Sequence, residues 1–291
     1  SPVTITAETR IVTLIGQPVT HSRSPMIHNT AFRTRDVDAV YVATPVRDTA
    51  VGAAVEGVRA LSFLGANVTI PHKQAVVPHL DAISERADAV GAVNTIVCED
   101  VAGDDRPQLR GDNTDVAGFL DPLDGRFATD LHGAPMLVFG AGGAARAVVY
   151  ALLDRYAPGA LTIVARRPEQ AEALADDLSP HDATDALQVT TFDDARPAVQ
   201  SSRLVVNATP LGMHPETEQT PWPEAEDLSP AHIVYDLVYT PEETRFLRDA
   251  AAQGATTLGG LTMLVGQAAA AFTQWTDRSF PREVVLDALR E

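Results

Sequence analysis

The chain has 291 residues, which is long enough for two domains of ordinary size, each with its own core. Its 39 acidic and 22 basic residues give a formal net charge of −17, which argues against nucleic acid or an anionic membrane as a partner because phosphates would be repelled over most of the surface. An apolar run of about 18 residues and a secretory signal pattern are both lacking, and the lone Cys98 excludes an internal disulfide, so we expect a cytoplasmic protein without a membrane span.

The N-terminal third alternates between strand and helix patterns. Residues 10–16, 39–44 and 63–70 are apolar runs of strand length, and residues 48–61 carry helical spacing. This alternation of strands and helices predicts a parallel sheet with helices on its faces.

Ser22 and Ser24 lie in the predicted loop between the first strand and a helix that begins near Pro25. A serine followed by proline is typical of a helix N-cap and first turn, so capping alone would explain Ser24 but not both serines. Loops at the carboxyl ends of strands are also where open α/β sheets place ligand groups. Both serines are therefore candidate ligand contacts, with capping as the alternative for Ser24.

The chain contains a single lysine, Lys73, which follows the third predicted strand. Pro71 ends that strand, and we expect Lys73 to open the next helix. Arginine cannot lose its proton in a protein, whereas a lysine ammonium can be tuned to do so. We therefore interpret Lys73 as a residue that does proton chemistry. The alternative is a lysine that survived by chance in an arginine-rich composition.

A dense polar cluster, residues 111–115, precedes a helix predicted over residues 116–123. Its last residue, Asp115, has two interpretations. It could face the helix dipole, a common use of an aspartate in a first turn. It could also stabilise and orient the ammonium of Lys73, provided that the two groups lie within about 4–6 Å.

Residues 125–134 lack apolar periodicity and predict a domain boundary. After them, a strand at 135–139 leads into Gly140-Ala-Gly142-Gly-Ala-Ala145 and an alanine-rich helix. The pattern G-x-G-x-x-A between a buried strand and a helix is the context that a dinucleotide fingerprint requires, with the pyrophosphate at the helix N-terminus. An ordinary tight turn is the alternative.

The end of the next predicted strand, residues 161–165, indicates which dinucleotide binds. An NAD site favours an acid there, which binds the ribose 2′-hydroxyl. The chain has Arg166 and Arg167 instead, and two guanidiniums suit a 2′-phosphate. The predicted cofactor is therefore NADP(H), and a solvated basic turn is the alternative.

The remaining segments predict a second α/β sheet and a return to the first domain. Strands are predicted over 187–192, 203–207 and 232–237, and a helix over 241–253. An apolar helix that begins at Leu261 needs a partner surface, so we expect it to cross back to the first domain. Gln267, the large polar group on its first two turns, is either a packed amide or a substrate ligand.

Taken in order, eight motifs resemble the shikimate dehydrogenase family over nearly the whole chain. They are Ser22-x-Ser24, Asn67-Val-Thr69 with Pro71-x-Lys73, Gly91-Ala-Val-Asn94-Thr, Asn113-Thr-Asp115, the glycine turn from Gly140, Asn207-Ala-Thr-Pro, Asp236-Leu-Val-Tyr239 and Met263-Leu-x-x-Gln267. One departure is the segment Ala165-Arg166-Arg167, where the family's biosynthetic enzymes often have Asn-Arg-Thr, so the preference for NADP rests on arginine alone.

The resemblance implies a role for each matching position. It implies that Lys73 and Asp115 form the catalytic pair and that Ser22, Ser24, Thr69, Asn94, Tyr239 and Gln267 bind a cyclohexene carboxylate. The implied cofactor residues are Gly140, Ala141, Gly142, Gly143, Ala144, Arg166, Arg167, Thr209, Met213 and Gly260, with Met213 beside the nicotinamide. No metal is expected.

The resemblance also implies the architecture. We expect a mostly parallel α/β substrate domain over residues 1–115 and 260–291, and a Rossmann-type, doubly wound NADP domain over residues 116–259. The expected reaction is the reversible NADPH-dependent reduction of 3-dehydroshikimate to shikimate. Two alternatives remain, a catabolic quinate/shikimate dehydrogenase and a ligand-sensing regulator without turnover. The oligomeric state is left open, with a homodimer as one option.

Overall fold

The computed structural model describes residues 4–290, which divide into two compact units. The first unit contains the residues up to Thr114 together with those from Gln267 onward, and the second contains Asp115–Gly266. Each unit is built on its own sheet. Within the part of the chain that is described, no helix is both long enough and apolar enough to cross a membrane.

The first part of the chain alternates strands and helices. Its elements are β1 (Arg10–Gly16), α1 (Ser24–Thr34), β2 (Ala39–Pro45), α2 (Val51–Ala60), β3 (Gly65–Val68), β4 (Ala82–Ile83), α3 (Glu85–Val90), β5 (Thr95–Glu99), β6 (Gln108–Asp112) and α4 (Thr114–Leu131).

The second part continues the alternation. Its elements are β7 (Pro135–Phe139), α5 (Gly143–Tyr156), β8 (Ala160–Val164), α6 (Pro168–Leu178), β9 (Leu187–Thr190), α7 (Arg196–Ser201), β10 (Leu204–Asn207), β11 (Ile233–Asp236), α8 (Arg245–Ala252), β12 (Thr256–Leu258), α9 (Gly260–Thr276) and α10 (Arg282–Arg290).

The sheet of the first unit has the strand order β2-β1-β3-β5-β6-β4. β5 runs antiparallel to both of its neighbours, whereas the other described pairs are parallel. Val55 and Val58 of α2 pack with Ile96 and Leu109 of the sheet in one buried core. The C-terminal helices return to this unit as expected, since Trp275 of α9 donates from Nε1 to the Ile96 carbonyl at 3.0 Å.

The sheet of the second unit has the order β12-β11-β10-β7-β8-β9, and its described pairs are all parallel. The chain winds outward from β7 in one direction and from β10 in the other. β7 and β10 are neighbours, so the winding reverses between them. In open parallel sheets, ligands bind outside the carboxyl ends of the strands at such a reversal point. The predicted Rossmann-type, doubly wound fold is confirmed.

The predicted domain boundary at residues 125–134 is wrong, because these residues lie inside the second unit, where α4 continues to Leu131. Phe119, Leu123, Phe127 and Leu131 recur every four residues, and all four are buried. This spacing places them on one face of a helix, and their burial holds the helix together through Pro122 and the glycines. Phe119 stacks on Tyr235 of the sheet, with 5.1 Å between ring centroids.

Two local expectations near the predicted site also differ from the structure. Residues 73–76 form turns ahead of a 3-10 helix at Val77–His79, so Lys73 does not open an α-helix. The N-cap of α1 is Arg23 rather than Ser24, and Pro25 lies in the first turn. The capping explanation for Ser24 therefore does not hold.

Candidate active site

The polar residues predicted in the first unit converge on one edge of its sheet. β1 and β3 are parallel and end together, with Ile15 opposite Val68. β5 runs the other way and begins at this edge, so Thr95 lies opposite both Asn67 and Asp112. The segments that carry Ser22, Lys73 and Asn94 all adjoin the sheet at this edge, although they are far apart in the sequence.

The two serines are held in a fixed local arrangement at the start of α1. The Ser24 backbone N–H donates to Ser22 Oγ at 3.2 Å, and Ser24 is buried while Ser22 is half-buried. Burial raises the pKa of Tyr41 above its usual range, and Ser24 lies close enough to oppose that shift. Both hydroxyls are short and rigidly attached, which suits the binding of a small anion such as a carboxylate.

The backbone around Lys73 is fixed from two sides. The buried His72 donates from Nε2 to the Val46 carbonyl at 2.6 Å, and the Val93 N–H donates to the Lys73 carbonyl at 2.8 Å. Lys73 itself is half-buried. These contacts join loops that follow β2 and β3 to the loop that precedes β5, which explains why this segment forms turns instead of a helix.

Thr69 lies against the end of β1. A Cβ added at Gly16 would come within 2.3 Å of the Thr69 Cγ2 atom, so the absence of a side chain at Gly16 allows Thr69 its position. The Thr69 N–H donates to the Ile15 carbonyl at 2.9 Å and continues the pairing one residue beyond β3.

Asn94 is buried at the start of β5, and its Oδ1 atom is occupied inside the unit. It accepts hydrogen bonds from the Thr114 N–H at 2.7 Å and from the hydroxyls of Thr114 and Thr95 at 3.2 Å. A ligand contact from Asn94 would therefore come from its amide nitrogen. Asp115 is the residue after Thr114 and lies in the first turn of α4.

The glycine turn of the second unit has the geometry of a phosphate-binding turn. Gly140 has φ +111°, and an added Cβ would lie 3.0 Å from the Ala208 carbonyl oxygen. At Gly142 and Gly143, by contrast, no described atom beyond the adjoining residues and the helix's own backbone lies within 4 Å of an added Cβ. α5 begins at Gly143, so open space meets the exposed N–H groups of a helix N-terminus. The turn can hold a pyrophosphate.

Arg166 and Arg167 follow β8, which lies next to β7 in the sheet, and both are exposed. Arg167 is the N-cap residue of α6, whose helix begins at Pro168. Two cations and a helix N-terminus thus meet at the end of the strand that follows the glycine turn. The donor set fits the 2′-phosphate of NADP(H).

The other predicted residues of the second unit lie on the loops after β10 and β11. Thr209 is half-buried and donates from Oγ1 to Asn207 Oδ1 at 2.6 Å, while Met213 is 47% exposed. Tyr239 is half-buried, and Gly260 is buried. An added Cβ at Gly260 would lie 2.2 Å from the Leu237 carbonyl oxygen, so close packing alone requires a glycine there.

Two family models match the chain. The model described as shikimate dehydrogenase substrate binding domain covers residues 14–96, and the one described as shikimate 5′-dehydrogenase C-terminal domain covers residues 260–290. A curated relative from Salinibacter ruber, shikimate dehydrogenase (NADP(+)), is 65% identical over 285 residues, which span 98% of each chain. The chain belongs to the shikimate dehydrogenase family.

Solved structures of the same fold agree with this family. A shikimate dehydrogenase in complex with NADP+ has a TM-score of 0.91 and 36% identity, and the match covers 100% of this chain and 98% of that chain. A quinate dehydrogenase from Corynebacterium glutamicum in complex with NAD has a TM-score of 0.87 and 31% identity over 97% and 99% of the two chains. The fold is therefore shared by enzymes with different substrates and cofactors.

Sequence reasoning missed a charged cluster in this shikimate dehydrogenase fold. Asp112, which is 2% exposed, accepts hydrogen bonds from Ser84 Oγ at 2.6 Å, Arg86 Nε at 2.7 Å and Gln274 Nε2 at 2.7 Å, and from Arg86 Nη2. These donors outweigh its burial and hold the pKa of the Asp112 carboxyl at about 2. The cluster joins β6, α3 and α9 beside Asn113. The signal that could have revealed this cluster was an acidic residue, Asp112, at the end of a strand, β6.

A second missed group is a buried polar and aromatic cluster beside Ser24. Tyr41 donates from its hydroxyl to Asn67 Oδ1 at 2.9 Å, and Asn67 Nδ2 donates to the Asn94 carbonyl at 3.1 Å. His28 stacks on Tyr41 at 4.6 Å between ring centroids. Burial lowers the pKa of His28 to about 3, so the ring is neutral. Asn67 begins one of the family motifs, and His28 follows another, the Ser22-x-Ser24 motif, by four residues. Their contacts could not be predicted from these motifs, because they form only when the strands pair in the sheet.

Proposed function

We propose that this chain catalyses the reversible NADPH-dependent reduction of 3-dehydroshikimate to shikimate. The observation that carries the proposal is the relative named shikimate dehydrogenase (NADP(+)), which is 65% identical over 98% of both chains. The glycine turn and the paired arginines supply the features that such a cofactor requires. Shikimate is an intermediate on the route to chorismate and the aromatic amino acids, so the proposed role is biosynthetic.

The proposed cofactor residues all lie in the second unit. Gly140, Ala141, Gly142, Gly143 and Ala144 would hold the pyrophosphate, Arg166 and Arg167 the 2′-phosphate, and Thr209, Met213 and Gly260 the nicotinamide half. When bound, NADPH supplies the hydride. The protein's own part is to fix the cofactor by the backbone N–H groups at the start of α5 and by two guanidiniums.

The proposed substrate residues hold the ring and its carboxylate. Ser22 and Ser24 would bind the carboxylate, and Thr69, Asn94, Tyr239 and Gln267 would bind the ring and its hydroxyls. The local order supports this division, because the two serines are coupled by a hydrogen bond and Asn94 is fixed by Thr114. Preorganised donors of this kind orient a substrate without further loss of side-chain entropy.

Lys73 is the proposed general acid in the direction of reduction and the general base in the reverse direction. Reduction of the carbonyl leaves an alkoxide that must gain a proton, and Lys73 Nζ would donate it. Asp115 is its proposed partner and would stabilise the ammonium form. The backbone anchors at His72 and Val93 would keep Lys73 in place.

Replacement of Lys73 tests the proton-transfer role. Lys73→Arg keeps the positive charge but removes the titratable amine, so we expect kcat to fall by about 10²–10⁴-fold with a much smaller change in KM. Arg106→Ala, which removes an exposed cation of the same unit, is the matched control and should leave kcat within about twofold. Near-normal turnover in Lys73→Arg would show that Lys73 acts by charge and position alone.

A substrate and cofactor panel tests the proposed activity as a whole. We expect NADP+ to be reduced with shikimate as donor, and both NAD+ and quinate to serve poorly. The quinate alternative has support in the fold shared with the quinate dehydrogenase, but an NAD-linked enzyme would favour an acid where this chain has Arg166. Efficient turnover of quinate with NAD+ would favour that alternative. Binding of both ligands without turnover would favour a sensing role.

Further parts of the proposal concern organisation. We propose that residues 1–115 and 260–291 bind the substrate and residues 116–259 bind NADP(H), boundaries that differ by a few residues from the two compact units. A cytoplasmic location is supported by the lone Cys98, and a homodimer would be checked by sedimentation at several protein concentrations.

A further inference from the structure

Asn207 and Asp236 form a buried pair at the carboxyl edge of the second sheet. They are the last residues of β10 and β11, they lie opposite each other in the parallel register, and both are fully buried. Asn207 Nδ2 donates to Asp236 Oδ1 at 2.9 Å. A loop that carries proposed site residues follows each of the two strands, so the pair lies at the base of both loops.

Asn207 organises the loop that leads to Met213. Its Oδ1 atom accepts from the N–H of Thr209 at 3.0 Å and from the Thr209 hydroxyl at 2.6 Å. Its Nδ2 atom donates to the Leu211 carbonyl at 3.2 Å as well as to Asp236. Both ends of this amide are therefore used, and rotation of the side chain would break the loop contacts together with the contact to Asp236.

Asp236 organises the loop that leads to Tyr239. Its Oδ1 atom accepts from the Val238 N–H at 3.0 Å, and its Oδ2 atom accepts from the Thr244 hydroxyl at 2.6 Å. Thr244 in turn caps α8, since its Oγ1 atom accepts from the Leu247 N–H. The carboxylate thus ties the start of the loop to its far end, on either side of Tyr239.

The two loops are joined a second time beyond the pair. The His214 N–H donates to the Thr240 carbonyl at 2.9 Å, one residue past Met213 and one residue past Tyr239. The Leu237 N–H donates to the Asn207 carbonyl at 3.0 Å. The two loops are therefore linked twice. The first link lies at the ends of β10 and β11, where the Asn207 amide meets the Asp236 carboxylate, and the second lies just beyond Met213 and Tyr239.

The carboxylate is held by neutral groups. Among the described residues, the hydrogen-bond donors to Asp236 are Asn207, Val238 and Thr244, none of which is charged. Burial outweighs these donors and raises the pKa of Asp236 to about 6. A buried carboxylate without a cation costs stability, and an apolar residue of similar size would avoid that cost. Its presence here is explained by the donors that it gathers from two loops.

We propose that Asn207 and Asp236 are a positioning pair that sets the Met213 loop against the Tyr239 loop and thereby the geometry of hydride transfer. The effect on hydride transfer rests on the proposed function, whereas the effect on the two loops does not. Neither residue needs to touch substrate or cofactor for this role. Each acts through the backbone of the loop that it anchors.

Hydrogen exchange tests the structural part without reference to activity. Asp236→Asn has the same shape, but in either orientation of its amide a hydrogen bond is lost: Nδ2 either faces the donors that converge on Oδ1, or replaces Oδ2, so that the Thr244 hydroxyl loses its acceptor. We expect exchange at the Val238, Leu211 and His214 amides to become at least about tenfold faster. Asp227→Asn is the matched control. Asp227 is also buried in the second unit, but its donors are Arg196, Gln200 and Trp222, and none of these three is hydrogen-bonded to Asn207 or Asp236.

Kinetics test the functional part. Asp236→Asn should lower kcat by about 10- to 100-fold, the size expected for misplacement by about 1 Å, and should raise the primary deuterium isotope effect on kcat because hydride transfer becomes slower. Asp227→Asn should leave both quantities within about twofold. All assays are run far below the midpoint of thermal unfolding of each variant, so a loss of stability alone cannot lower kcat.

A reciprocal exchange tests whether the two residues act as a pair. Asn207→Asp places two carboxylates against each other, and adding Asp236→Asn restores one amide opposite one carboxylate. We expect the double variant to recover at least about tenfold of the kcat lost in Asn207→Asp. Additive losses would overturn the pairing.

The outcomes separate this inference from the proposed function. Unchanged amide exchange in Asp236→Asn would overturn the positioning pair, whatever the wild-type activity. Faster exchange at the three amides with normal kcat and isotope effect would overturn the link to hydride transfer. A wild-type protein that does not oxidise shikimate with NADP+ would overturn the proposed function, and the exchange experiment would still decide on the pair.

Discussion

Asp112→Asn is a substitution for which the structure predicts a large loss of stability in the first unit. The carboxylate is buried and gathers donors from Ser84, Arg86, Asn113 and Gln274. An asparagine has nearly the same shape, so the change removes charge and one acceptor without opening a cavity. Each carboxylate oxygen already accepts at least two hydrogen bonds, so the new amide group must face a donor in either orientation.

The magnitude follows from the pKa of Asp112. The folded-state value of about 2 lies below the usual 3.8, and each pKa unit corresponds to about 1.4 kcal/mol, so the ionised carboxyl contributes about 2 kcal/mol at neutral pH. An unsatisfied buried donor costs about 1–3 kcal/mol more. We therefore expect Asp112→Asn to lower the free energy of unfolding by about 3–5 kcal/mol, as for other broken buried pairs.

The pH dependence has a definite sign. Because the folded pKa is depressed, the carboxyl's contribution is fully present above the unfolded value of 3.8 and is lost as the pH falls through 2. The linkage relation leaves about half of it at a pH of about 3. The difference in stability between the wild type and Asp112→Asn should therefore shrink by about 1 kcal/mol between about pH 7 and pH 3.

The two tryptophans make the assay specific to one unit. Trp275 belongs to the first unit and Trp222 to the second, so a Trp222→Phe background leaves Trp275 fluorescence as the reporter of urea unfolding in the first unit. Asp105→Asn, at an exposed acid of the same unit, is the control and should change the free energy by less than about 0.5 kcal/mol. A loss below about 1 kcal/mol in Asp112→Asn that does not vary with pH would refute this account of the cluster.

Three further predictions concern single features. Replacing Arg166 and Arg167 by glutamine should raise the KM for NADP+ by at least about tenfold and leave the KM for NAD+ nearly unchanged, as measured by steady-state kinetics. Gly140→Ala should weaken NADP+ binding and lower stability by about 1–3 kcal/mol, because alanine is strained at φ +111°, as measured by calorimetry and thermal melts. Tyr41→Phe should cost about 1–3 kcal/mol in urea unfolding, because it leaves the buried Asn67 Oδ1 atom without the donor now at 2.9 Å.

Some features of the site follow from short stretches of sequence. The glycine turn depends on a strand, a turn and a helix that are contiguous, so its pattern predicts those three in order. The structure has them, with Gly140 at a positive φ in the turn and α5 beginning at Gly143. Arg166 and Arg167 follow the next strand directly and could be interpreted in the same way. Local backbone preferences decide both cases, and the structure agrees with them.

The backbone conformation at Lys73 could not be predicted from the local sequence. Its uniqueness in the composition indicated a special position, but the predicted helix at this position is wrong. The conformation is set by the His72 contact to Val46 and by the Val93 contact to Lys73, and both partners are at least 20 residues away in the chain. Tertiary contacts of this kind override the weak helical preference that follows a proline.

By itself, the sequence indicated much of the alternation of strands and helices, the Rossmann-type turn and the family, because these depend on periodicity and on motifs within single segments. Only the tertiary structure decided which buried polar groups meet. Asn207 and Asp236 are 29 residues apart, and they face each other because β10 and β11 pair in one register. A shift of β11 by one residue would turn Asp236 to the opposite face of the sheet from Asn207, so pairing between distant segments, and no local pattern, brings them together.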